Sequence, residues 1–257
     1  MEEKKKVIWT GIVFVLLVAA VIVIFYLATH KKSPEVQKAP EIIEKKPMEL
    51  PEQETAGEEP VEPIDISLEE SDEFIRDIVR EISSDPQISE WMKIDHIIKK
   101  FVAAVDNIAN GLSPRKQIEF FEPKGEFLAK KKGEKYIIDE DSYKRYNPVA
   151  NAFNSIKTKD TVKLYRRYEP LIQEAYKELG YPENDFNVTL NRAIKELLAV
   201  PVIEGDIVLI SKLKSFELED SELEEMSQAQ KHLFRMGPEN IKKVQQKLRE
   251  FQNELNL

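Results

Sequence analysis

Two hexapeptides hold the densest set of chemistry-capable side chains in this sequence: YKRYNP at Tyr143–Pro148 and YRRYEP at Tyr165–Pro170. Each places two tyrosines three residues apart around a basic pair, with a proline two positions after the second tyrosine. If the chain folds so that the two copies converge, Arg145 and Arg167 could grip an anion such as a carboxylate or phosphate. A guanidinium presents a planar fork of N–H donors that matches either group. The hydroxyls of Tyr143, Tyr146, Tyr165 and Tyr168 would complete such a site. The other reading is structural. Tyrosines at i and i+3 share one face of a helix, so they can pack with their hydroxyls at the surface while the arginines pair with local glutamates. Both readings stand at this level.

Little else in the sequence looks like chemistry. There is no cysteine, which removes disulfides, thiolate metal sites and cysteine nucleophiles. Of the three histidines, His30 follows an apolar run, His96 is read as lying in a helix beside Asp95, and His232 lies on a later helix. No two have metal-ligand spacing, and neighbours on a helix point to different sides. Of the eight glycines, Gly11 lies in an apolar run, Gly57 in a proline- and glutamate-rich stretch, and the other six at helix ends and turns, leaving none to build a phosphate-cradling loop of the P-loop or Rossmann kind. No catalytic residue, metal ligand or cofactor is therefore predicted.

The elements that must position the two hexapeptides are mostly helical. Ser71 is read as the cap of a helix with Phe74, Ile75, Ile78, Val79 and Ile82 in one stripe. Asp85-Pro86 combines a cap with proline at the first helical position, opening a short helix through Trp91. Ile94, Ile97, Ile98, Phe101, Val105 and Ile108 share a face up to Gly111. Asn147 is read as a cap before Pro148. The second hexapeptide runs into Leu171, Ile172, Ala175, Tyr176 and Leu179, with a kink expected at Pro170, which has no N–H to donate to Arg166. A helix carrying Leu190, Ala193, Ile194 and Leu197 follows. A hairpin is predicted about Lys132-Gly133, with a second β candidate at Asp206–Leu218. A helix pair hinged at Gly237-Pro238 ends the chain. Its last helix carries Ile241, Val244, Leu248, Phe251 and Leu255 on one seam, suited to packing within the domain or against a partner. The fold class expected is mainly α with one or two small β-hairpin elements.

Ahead of this domain lie two segments of different character. Residues 7–28 form an uncharged run of 22 residues, about 33 Å as a helix against a hydrocarbon core of about 30 Å. Trp9 and Tyr26 stand near its ends, where amphipathic rings favour the interface. The run is longer than the apolar region of a cleaved signal, so it is read as an uncleaved single-pass anchor through the lipid bilayer. Lys4, Lys5 and Lys6 favour a cytoplasmic tail at 1–6, which places 69–257 in the periplasm. Residues 29–68 are rich in proline and glutamate and are read as a disordered linker.

Net charge is −9, unevenly spread. Residues 1–32 have five lysines against two glutamates, and residues 33–68 have three lysines against ten acids. The remainder has 30 bases against 35 acids. Such a surface has no electrostatic footprint for nucleic acid.

YKRYNPVANAF, LYRRYEPLIQEAYKELGYP and QKHLFRMGPENIKKVQQKLREF resemble a bacterial membrane-anchored family catalogued as domain of unknown function 3014. DEFIRDIVREI and IIKKFVAAVDNIANG are similar to its opening segments. The resemblance implies one membrane segment, a Pro-rich linker and a C-terminal domain, and it brings no activity, cofactor or catalytic residue. The expectation is a single-pass protein of the bacterial cytoplasmic membrane that binds or organises an envelope protein or cell-wall component. The alternative is an anion-binding or enzymatic domain that acts through the Tyr/Arg motifs.

Overall fold

The computed structural model describes residues 66–118, 123–181, 184–213 and 215–257. The predicted anchor at 7–28 lies outside these residues, as does the linker up to 65. Among the described residues no helix is long and apolar enough to cross a membrane.

The chain opens with α1 (Ser71–Ile82), α2 (Pro86–Trp91) and α3 (Ile97–Ala109), then a hairpin of β1 (Ala129–Lys132) and β2 (Lys135–Ile138). Helices α4 (Glu140–Lys144), α5 (Asn147–Ser155), α6 (Thr158–Glu178) and α7 (Phe186–Leu198) follow. A second hairpin of β3 (Val208–Ser211) and β4 (Phe216–Leu218) precedes α8 (Ser221–Glu224), α9 (Gln228–Phe234) and α10 (Pro238–Leu255). The two hairpins join. Tyr136 pairs with Leu209 and Ile137 with Val208, giving one antiparallel sheet in the order β1-β2-β3-β4. Neither hairpin alone buries a face, and a third and fourth strand over helices supply what an isolated pair lacks.

Two apolar cores result. The first gathers Ile75, Trp91, Val102, Tyr168, Tyr176 and Phe186 from the helices of the first and middle parts of the chain. The second packs Ile138, Ile207 and Leu209 of the sheet region against Leu223, Leu233, Phe234 and Ile241. Each such side chain contributes about 1.5–3 kcal/mol by leaving water. Leu68 is also in the first core, so the packed chain begins slightly before the predicted boundary at 69.

Several local expectations need correcting. Ser71 does not cap α1; its hydroxyl donates to the Leu68 carbonyl at 2.8 Å, while Glu70 is the cap residue and its carboxylate accepts from the Ser67 N–H and hydroxyl. His96 precedes α3 rather than lying in it, at φ 58°. The Asp72 carboxylate from α1 takes the His96 and Ile97 N–H groups at 2.6 and 2.8 Å, so the cap of α3 comes from another helix. Asn147 already lies within α5 and Tyr146 is the cap position. As expected, α6 runs on through the exposed Pro170 for about two further turns. The stretch before Gly237 holds two helices, because Ser227 and Gln230 form a reciprocal capping box that starts α9 anew.

Candidate functional site

The two hexapeptides do not share one environment. In the second, Tyr168 is 3 % exposed and belongs to the helical core, with Tyr165 packed against the same cluster. The Tyr165 hydroxyl donates to Asn187 Oδ1 at 2.6 Å, and Asn187 Nδ2 donates to Glu169 Oε1 at 2.6 Å. Burial first, then the nearby Glu169 and Asp185 charges, push the Tyr165 hydroxyl far up. It stays protonated and ties α6 to α7. Arg166 Nη2 donates to the Glu254 carbonyl near the end of α10. Arg167 is exposed.

In the first hexapeptide, Tyr143 joins the second core. Its ring lies on the backbone of Gly237, so that a Cβ at that glycine would stand 2.4 Å from Tyr143 Cγ. Burial, then Asp206, raises the Tyr143 hydroxyl to about 12. Arg145 Nε donates to the Ser142 carbonyl at 3.2 Å and Nη1 to the Gly125 carbonyl at 2.7 Å. Its guanidinium also lies 5.6 Å from the centre of the buried Tyr146 ring. Arg145 thus fastens the segment before β1 to the α4–α5 junction. Of the six residues proposed for an anion, Tyr143 goes to one core, Tyr165 and Tyr168 to the other, and Arg145 is engaged with carbonyls.

The residue that organises the first hexapeptide is Asn240, which sequence reading did not single out. Its Nδ2 group serves the carbonyls of Tyr143 and Met236 and the Asn147 side chain at 3.2, 2.9 and 2.9 Å. Two more buried polar residues of α10 do the same elsewhere. Gln245 Nε2 serves the carbonyls of Leu197, Leu198 and Val200 at 3.2, 3.3 and 2.8 Å. Lys247 Nζ donates to the Ile156 carbonyl at 2.9 Å and Glu250 at 2.6 Å. Helix ends leave carbonyls without intrahelical partners. The last helix collects them from α7, from the α5–α6 junction and from the α4–α5 junction. The sequence signal was three polar side chains interrupting an apolar face.

Two other places bear on chemistry. Ser113 Oγ lies 2.8 Å from His232 Nε2, a contact that superficially pairs a nucleophile with a base. Burial, then Arg115 and Arg235, lower the His232 pKa from 6.5 to about 4. A catalytic base works best near the operating pH and is oriented by an acid; the charges that face this imidazole are cationic. The pair therefore reads as a bond between the segment after α3 and α9. An open groove of about 660 Å³ runs between α1 and the start of α3, with Glu69, Glu73 and Asp95 on its walls beside Phe74. Two of its other charged walls are already bonded: Asp72 caps α3, and Arg76 donates to the Met92 and Ile94 carbonyls at 2.8 and 2.9 Å. Among the described residues no group of three or more His, Asp and Glu is arranged to hold a metal ion.

A family model described as protein of unknown function (DUF3014) matches residues 97–252. The chain belongs to this family. No curated protein and no solved structure matches it. The DUF3014 match takes in both hexapeptides, Gly237 and the polar row of α10, so the contacts that join them lie inside the family span. Helices α1 and α2, and all the residues that line the groove, precede it.

Proposed function

We propose that this DUF3014 protein is a single-pass protein of the bacterial cytoplasmic membrane, held by residues 7–28. Its helical domain stands in the periplasm on the linker and acts as a binding or scaffolding module rather than as an enzyme. The sequence supports the anchor through its uncharged 22-residue run and flanking aromatic and lysine residues. One structural observation carries the binding reading. Arg145, Arg166 and Tyr165 of the motifs are committed to holding elements together, whereas apolar side chains remain exposed on the sheet and its approaches. Among the described residues, five of the eleven exposed large hydrophobics, Phe127, Leu128, Ile210, Leu213 and Phe216, belong there. Phe216 clusters with Phe127 and Tyr136 in tilted contacts, with ring centres 6.0 and 5.5 Å apart, while Ile210 lies on the other face of the sheet. Clustered exposed apolar surface marks interaction sites. The seam of α10 is not that surface, because Ile241 and Leu248 are buried within the domain.

The test combines topology and capture. A C-terminal reporter that is active only in the periplasm should be active, and the protein should resist alkaline extraction. In-cell cross-linking from Phe127 and Phe216, rather than from the hairpin tips, should capture defined envelope components. An inactive reporter, or full extraction at alkaline pH, would overturn the anchored periplasmic reading.

A further inference from the structure

The sheet has an end unlike the rest of this acidic molecule. Because β1, β2, β3 and β4 are neighbours in order and all antiparallel, both hairpin turns emerge at the same end. The first tip carries Lys130, Lys131, Lys132 and Lys135 around a single Glu134, and all five are exposed. The second follows β3 with Lys212 and Leu213, and Lys214 comes next in sequence. Leu213 is 97 % exposed, a large apolar side chain in open water beside Lys212. Lysines on the edge strand β1 also discourage strand pairing, but that role does not explain Leu213. The pairs Lys132–Asp206, Lys135–Glu219 and Lys212–Glu217 are all solvent-exposed and are held weakly enough to exchange partners.

We propose that the two hairpin tips dock on an anionic lipid surface, with Leu213 entering the headgroup–acyl boundary and the lysines contacting phosphate oxygens. An apolar tip framed by lysines is the arrangement that interfacial binding uses, burial and charge attraction acting together. Electrostatics select the orientation. Residues 69–257 carry 35 acids against 30 bases, so an anionic surface repels the body of the domain and attracts its basic end. The inference rests on the anchored reading for its geometry. A linker of residues 29–68 spans at most roughly 140 Å, so the anchor keeps the tips at high effective concentration over the bilayer.

The absence of native cysteine makes the test direct. The full chain carrying Leu213→Cys is labelled with an environment-sensitive fluorophore and mixed with or reconstituted into phosphatidylcholine vesicles with or without phosphatidylglycerol. Position 213 is almost wholly exposed, so the label leaves the fold intact, which far-UV circular dichroism checks. The expected result is a blue-shifted emission, quenched by nitroxide lipid, with anionic vesicles only, and reversed by salt. Lys130→Glu with Lys131→Glu should weaken docking roughly tenfold or more. A probe that stays in water on every vesicle while the chain resists alkaline extraction overturns docking and leaves the anchor intact. Loss of the chain on extraction with a responsive probe does the reverse. Cross-linking of position 213 in cells to a protein in place of lipid also overturns the proposal.

Discussion

Replacing Gly237 by alanine tests the contact that joins the first hexapeptide to the last helix. Gly237 has φ 80° and ψ 163°, a region open essentially to glycine alone, where another residue costs about 1–3 kcal/mol. The new Cβ would also stand 2.4 Å from Tyr143 Cγ and 2.7 Å from its Cβ and Cδ1. The ring cannot yield cheaply, because its own backbone is held by Asn240. Overpacking of this kind costs about 1–3 kcal/mol. The sum is about 2–6 kcal/mol, a large share of the 5–15 kcal/mol typical of a domain. Tyr143→Ala removes a partly buried ring and should cost about 2–3 kcal/mol. The informative measurement is the double variant, followed by urea unfolding of the full chain in detergent by circular dichroism. With the ring gone, the steric part of the Gly237→Ala cost disappears and only the backbone part remains. The pair should therefore be about 1–3 kcal/mol less destabilised than the sum of the singles. Strict additivity, or a Gly237→Ala variant within about 0.5 kcal/mol of the parent, would refute the reasoning.

Gln245→Leu strips the shared donor from the carbonyls of Leu197, Leu198 and Val200 and should cost about 1–3 kcal/mol in the same unfolding assay. His232 has its folded pKa depressed from 6.5 to about 4. Its contribution is therefore complete above pH 6.5 and lost as pH falls from there towards 4. After allowance for its partial exposure this is about 1–2 kcal/mol. A melting-temperature profile should fall across that window and flatten in His232→Gln. The two candidate arginines should separate: Arg145→Ala loses its bonds to the Ser142 and Gly125 carbonyls and lowers stability by about 1–3 kcal/mol. The exposed Arg167, changed to alanine, should stay within about 0.5 kcal/mol of the parent.

The sequence alone determined the elements whose signals are local. Asp85-Pro86 starts α2 as a cap followed by proline, the first hairpin turns about Lys132-Gly133, and β3 and β4 lie within the second predicted β stretch. The apolar stripes of α3, α7 and α10 face cores. These signals need only neighbours within a turn or two, where spacing of three, four or two is enough. The box at Ser227 and Gln230 was equally local and readable.

The tertiary structure alone decided matters in which a group's partner is far along the chain. Ile137 meets Val208 to fuse two hairpins into one sheet. Asp72 caps a helix that starts 25 residues later. Asn240, Gln245 and Lys247 look like flaws in an amphipathic face until the carbonyls of three distant chain reversals are brought to them. The hexapeptides make the same point. Their near-identity comes from tyrosine and basic residues at helical spacing, a local pattern. Their roles diverge because Tyr143 finds Gly237 and Tyr165 finds Asn187. A buried hydrogen-bonding group must find a partner, but nothing in its own neighbourhood of sequence says which one.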